Sequence, residues 1–181
     1  MHQPFYKDLV TGRYKLPWVR LHSLKDYYGM VKILDEFPTI HQTFNLVPCL
    51  FKQIEEYAAG KASDPFLSVA LKPTEELELE EKKFALQYFF QANEDRQIRR
   101  YPRYAELFAV MQRCQNNPAL AVSAFDTQMV RDLQVLSQLA WFDEEYLKND
   151  REVRALVSKG RNFTGNEKEM LGKKQLACLQ T

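Results

Sequence analysis

Ile40-His41-Gln42-Thr43-Phe44-Asn45-Leu46-Val47-Pro48 is the stretch on which the fold turns. Ile40, Phe44 and Leu46 fall on one side of an extended chain, and Thr43, Asn45 and Val47 on the other. Such alternation, in a run rich in branched and aromatic residues, predicts a β-strand. Pro48 suits the first turn of a following helix, where its missing N–H is not needed. That helix carries Leu50, Phe51, Ile54 and Tyr57 and ends at Gly60. Upstream, Ser23 with Asp26 predicts a helix start, and Leu24, Tyr28, Val31 and Leu34 make its apolar stripe. Pro38 stops it. Helix, strand, helix is the rhythm of parallel β/α units.

Further out, residues 61–79 read as a connecting loop punctuated by Pro65, Pro73 and Thr74. Helical stripes follow: Phe84, Tyr88, Phe89 and Ala92, then Tyr104, Leu107, Phe108 and Met111 after Pro102. Asp126 is placed to cap a helix carrying Met129, Val130, Leu133, Leu136 and Ala140. Asp150 is placed to cap a short helix closed by Gly160, and Thr164 with Glu167 makes a capping box for the last one. That helix is still running at Leu179. One strand, with the stump of a second before Pro4, cannot close a β/α barrel, which typically needs about 250 residues. The expected class is therefore α/β: mostly helical with one or two parallel strands. Residues 1–181 form a single partial domain, with the first β/α units in 1–60 and a helical region in 61–181.

Composition narrows the function classes. The net charge is +1, from 25 basic and 24 acidic residues, so no nucleic-acid partner is expected. The local cluster Arg96, Arg99, Arg100 and Arg103 reads as a solvated interhelical loop. Cys49, Cys114 and Cys178 are far apart and odd in number, which predicts small, reduced side chains in place of a disulfide framework. The apolar runs fall far short of the roughly 18 residues that span a bilayer, so no membrane partner is expected. The first residues are polar and carry a proline, unlike a signal peptide, and a cytoplasmic location is expected. His2, His22 and His41 read as lacking a partner at the i+3 or i+4 spacing of a helical metal site. There is no Gly-x-Ser-x-Gly elbow and no glycine-rich phosphate loop, and no cofactor is expected.

Candidate binding residues are few. His2-Gln3-Pro4-Phe5-Tyr6 makes a rigid polar corner, because Pro4 fixes its own φ and drives Gln3 toward an extended conformation. Asn45 sits at the C-terminal end of the predicted strand, the functional side of parallel β/α folds. Capping of the next helix is its alternative role. Trp18 beside Arg20 offers either a sugar-stacking wall or a core contact.

These residues recur in a known order. His2-Gln3-Pro4 with its aromatic neighbour resembles the first signature of glycoside hydrolase family 57. Leu16-Pro17-Trp18-Val19-Arg20-Leu21-His22 with Lys25-Asp26-Tyr27-Tyr28 is similar to the family's next segment. Thr43-Phe44-Asn45-Leu46-Val47-Pro48 resembles its second strand. Asp132-Leu133-Gln134, Leu139-Ala140-Trp141-Phe142 and Lys159-Gly160-Arg161-Asn162-Phe163-Thr164 continue the likeness. Leu136-Ser137-Gln138 departs from the more aromatic pattern expected there, and Gly165 and Asn166 replace acidic residues expected after the last cap.

The resemblance implies the N-terminal portion of a (β/α)7 barrel that acts with retention on α-glucans, by hydrolysis or transfer. It implies a glutamate nucleophile and an aspartate acid/base on later strands, so no catalytic residue is assigned within 1–181. His2, Gln3, Asn45 and Trp18 are the substrate-binding candidates. The chain alone is expected to be inactive, with the remainder of the enzyme as a possible partner. A non-catalytic helical interaction module and a metal-dependent polysaccharide deacetylase-like barrel stay open as alternatives.

Overall fold

The computed structural model describes residues 3–180. Nearly every element is helical: α1 (Trp18–His22), α2 (Tyr28–Lys32), α3 (Pro48–Ala58), α4 (Pro65–Leu71), α5 (Leu79–Tyr88) and α6 (Pro102–Arg113) come first. Then follow α7 (Pro118–Ala121), α8 (Thr127–Leu139), α9 (Glu144–Asn149), α10 (Arg151–Lys159) and α11 (Gly165–Cys178). A π-turn at Ser23–Tyr27 joins α1 to α2, and a 3-10 turn at Ile33–Glu36 ends that run.

The strand predicted at Ile40–Val47 does not form. Residues 41–47 are irregular, and the described residues contain no strand ladder, only an isolated antiparallel bridge between Lys7 and Tyr14. A strand is defined by hydrogen bonds to a neighbour, and alternation alone supplies none. Ile40 and Leu46 stay exposed. The first helical run also starts earlier than Ser23. Pro17 precedes it at the N-cap position, and the Ser23 hydroxyl donates back to the Val19 carbonyl from inside the run. The stretch 61–79 is not all loop. Asp64 accepts a hydrogen bond from the Leu67 N–H, and Pro65 occupies the first position of α4. Proline acts there as a helix starter.

The predicted caps at Asp126, Asp150 and Thr164 all form. Asp126 Oδ1 accepts from Met129 N, and Asp150 Oδ1 from Glu152 N and Val153 N. Thr164 and Glu167 exchange the two bonds of a capping box despite Gly165 and Asn166. Gly160 closes α10 at φ 69°, a left-handed conformation that suits glycine.

The main core surrounds α8, whose Leu133, Val135, Leu136 and Leu139 are fully buried. Helices α4, α5, α6 and α11 pack around it. Because α8 is buried nearly all round, its polar residues need internal partners. Gln134 Nε2 donates to the Val69 and Lys72 carbonyls, and its Oε1 accepts from the Thr74 hydroxyl. Asp132 accepts from Arg103 Nε, Gln128 Nε2 and Phe163 N. Gln138, part of the departure noted above, accepts from Arg20 Nη1 at 3.3 Å.

Arg20 ties the N-terminal segment to this core. It is fully buried, its Nε and Nη2 bind the two Asp64 oxygens at 3.0 and 3.3 Å, and Nη1 also reaches Gln175 at 3.1 Å. Tyr57 donates to the same Asp64, so one buried pair joins α1, α3, α4, α8 and α11. Breaking such a pair by removing one partner typically costs about 3–5 kcal/mol.

Candidate functional site

The N-terminal corner is fastened to α3. Gln53, buried on α3, donates from Nε2 to the Pro4 carbonyl at 3.1 Å and accepts from Tyr6 N at 2.9 Å. The Cys49 thiol donates to the Gln3 carbonyl at 3.6 Å. The Gln3 side chain is thereby aimed at two tyrosines. Its Oε1 accepts from the Tyr6 hydroxyl at 2.8 Å, and its amide lies against the Tyr27 hydroxyl. Burial raises the pKa of Tyr27, and the Gln3 contact offsets part of that rise.

From Tyr27 a band of rings continues. The His22 ring lies 6.2 Å from Tyr27 and 5.4 Å edge-on from Trp141, and Trp18 lies 6.0 Å from Trp141. Trp18 and Trp141 are each half-buried, so each keeps part of its surface in contact with solvent. Arg20 has no part in this wall, because it faces inward to Asp64.

His22 is oriented by Asp26. Nδ1 meets Asp26 Oδ2 at 2.5 Å, and Lys25 Nζ meets Asp26 Oδ1 at 3.3 Å. The His22 hydrogen bond holds the Asp26 pKa below its usual value, with Lys25 adding to the effect against the cost of burial. An ionised carboxylate only accepts, so in this contact Nδ1 of His22 is the donor and Nε2 is the ring nitrogen left for other partners. The band thus combines flat apolar faces with hydrogen-bonding groups at Gln3 and His22, a combination suited to polyhydroxylated ligands, while the Tyr27 hydroxyl is buried.

Of the four candidates, Gln3 and Trp18 join this band. His2 lies outside the described residues. Asn45 is exposed between Phe44 and Leu46, and those two neighbours line an apolar groove with Tyr27, Leu50 and Ile54. The N-cap position of α3 is Val47, whose side chain makes no capping bond. The sequence reading missed His22, Asp26 and Trp141. The spacing of His22 and Asp26, four residues on one helical run, was an available signal. Nothing in the sequence shows that Trp141 reaches Trp18.

Among the described residues, no group of three His, Cys, Asp or Glu side chains is placed to hold a metal. No helix there is long and apolar enough to cross a membrane. A sequence model described as glycosyl hydrolase family 57 matches residues 1–169. No curated protein and no solved structure matches the chain.

Proposed function

The chain belongs to glycosyl hydrolase family 57, and from that premise we propose that it forms the sugar-binding side of a retaining enzyme acting on α-glucans. Membership supports hydrolysis or transfer of glycosidic bonds and a carbohydrate substrate. The finer reading rests on one observation. Segments far apart in sequence converge on a continuous band of Gln3, Tyr27, His22, Trp141 and Trp18. A glucan chain would lay the apolar faces of its rings on Trp18 and Trp141 and offer hydroxyls to His22 Nε2 and Gln3. His2 would bind a hydroxyl near the cleaved bond, and Asn45 would shape the rim.

Retention calls for two carboxyl groups about 5–5.5 Å apart. Asp64 and Asp132, the buried carboxylates described above, are each enclosed by structural donors. We assign the nucleophile and the acid/base outside residues 1–181. Under this reading residues 1–60 supply the start of the barrel domain and 61–181 its helical flank.

The purified chain should bind maltoheptaose in a calorimetric titration and release no reducing sugar from amylose. Trp18→Ala and Trp141→Ala should each weaken binding about tenfold, a loss near 1.4 kcal/mol. Unchanged binding in both variants, or hydrolysis of amylose by the chain itself, would overturn the assignment. A second reading, a non-catalytic helical interaction module, is favoured by the exposed apolar residues Val31, Ile33, Phe37 and Phe51. That alternative predicts no saccharide binding at all.

A further inference from the structure

Trp18 and Trp141, which end the aromatic band, also line a narrow slot of about 20 Å³ that reaches the buried side chains of Arg20, Ser137 and Gln138. Exposed Gln91 and half-buried Tyr88 line it as well, so it communicates with solvent. A space of this size admits one water-sized group and excludes a sugar ring.

The polar end of the slot is oriented. Gln138 is 7% exposed, and its Oε1 accepts from Arg20 Nη1 at 3.3 Å. Arg20 is fixed in turn by both oxygens of Asp64. With Oε1 turned to the arginine, Nε2 is the end of the amide left for other partners. Its contact is with Ser137 Oγ at 3.4 Å, which is long for a hydrogen bond. The Ser137 hydroxyl gives its own proton to the Gln134 carbonyl, so it can only receive from Gln138. An amide nitrogen carries two hydrogens, and one long contact engages one of them. The other is left over among the described residues, and a buried donor without an acceptor is costly.

We infer that the slot takes the primary hydroxyl of a hexose unit laid on Trp18 and Trp141, and that Gln138 Nε2 donates to it. The inference rests on the glucan-binding reading of the aromatic band and adds a specificity determinant to it. A glucosyl ring that lays its apolar face on an indole keeps its ring hydroxyls near the ring plane. Its hydroxymethyl group is different, because it carries an oxygen on a rotatable one-carbon arm. That arm is thin enough to enter the slot where the ring is not. A site built to hydrogen-bond a hydroxyl rejects the analogue that lacks it, because its own buried polar group is then left unpaired.

Maltoheptaose, and its derivative with every primary hydroxyl replaced by hydrogen, would be titrated by calorimetry into the wild type and into Gln138→Met. The wild type should bind maltoheptaose about fivefold more tightly than the deoxy derivative. Gln138→Met, with circular dichroism unchanged, should bind the two alike, whereas a merely structural role for Gln138 would weaken both sugars together. In the wild type, the side-chain amide resonances of Gln138 should move with maltoheptaose and not with the deoxy derivative, a readout that holds even where the variant does not fold. Equal affinity of the wild type for the two sugars would overturn the slot and leave the glucan-binding reading standing. An undiminished preference in Gln138→Met would overturn the role of Gln138. Failure of the wild type to bind maltoheptaose would overturn the reading and the inference together.

Discussion

Two cations are buried among the described residues, and they are handled differently. Arg20 faces a carboxylate, whereas Lys168, 5% exposed, has only the carbonyls of Leu71 and Lys72 at the end of α4. Carbonyls at a helix C-terminus attract a cation but do not neutralise it. Burial consequently pushes the Lys168 pKa down from 10.5 to about 8. The sign follows from proton counts. Between about pH 8 and 10.5 the unfolded chain binds the proton more readily than the folded one, so stability contributed by this group rises with pH. Lys168→Met has no such titration. The stability of the wild type relative to Lys168→Met, from urea unfolding at several pH values, should increase across that window and stay flat below pH 7. A flat difference throughout would show Lys168 to be solvated. Neither buried cation was legible in the sequence. Arg20 meets partners 44, 118 and 155 positions away, and no local pattern encodes such distances.

At the scale of elements, what was legible was chemistry that acts within one turn. Asp126, Asp150 with Gly160, and Thr164 with Glu167 mark their helix ends because a cap needs only its own next three residues. Pro65 misled because the same ring that breaks a helix interior begins one at its first position. The strand at Ile40–Val47 misled because pairing is a property of two segments, and the pattern was read from one. Packing between elements also leaves local traces that only the structure interprets. A Cβ added at Gly29 in α2 would stand 2.2 Å from Asp143 Oδ2, while the other oxygen of Asp143 caps α9. Two effects then compete in Gly29→Ala: about 0.8–1 kcal/mol of helix propensity gained, and a cap worth about 1 kcal/mol disturbed. In the wild-type background the substitution should be near neutral in urea unfolding. In an Asp143→Ala background it should stabilise by about 1 kcal/mol. Equal effects in both backgrounds would mean that Gly29 and Asp143 do not couple.

Across the whole molecule, order is distributed unevenly. One apolar core runs from Phe66 to Leu171 around α8, and Arg20 joins the segment before it to that core by reaching Gln138 and Gln175. The same segment carries most of the large exposed apolar side chains, from Met30, Val31 and Ile33 through Phe37 and Ile40 to Leu46 and Phe51. Apolar surface left in water contributes nothing to holding its own backbone, and residues 41–44 have no ladder to protect their amides. Exposed backbone with few buried contacts opens at little free-energy cost, whereas amides in a core helix exchange only on global unfolding. Hydrogen exchange read by mass spectrometry should therefore rank the chain. Peptides covering Leu133–Leu139 should exchange last, those covering α1 and α2 earlier, and residues 41–44 at the rate of an unstructured peptide. The ranking should not depend on protein concentration if each molecule behaves alone. Protection of 41–44 approaching that of α8, growing with concentration, would show instead that this segment finds a strand partner in a second copy of the chain, since an open extended edge pairs whenever a neighbour is offered.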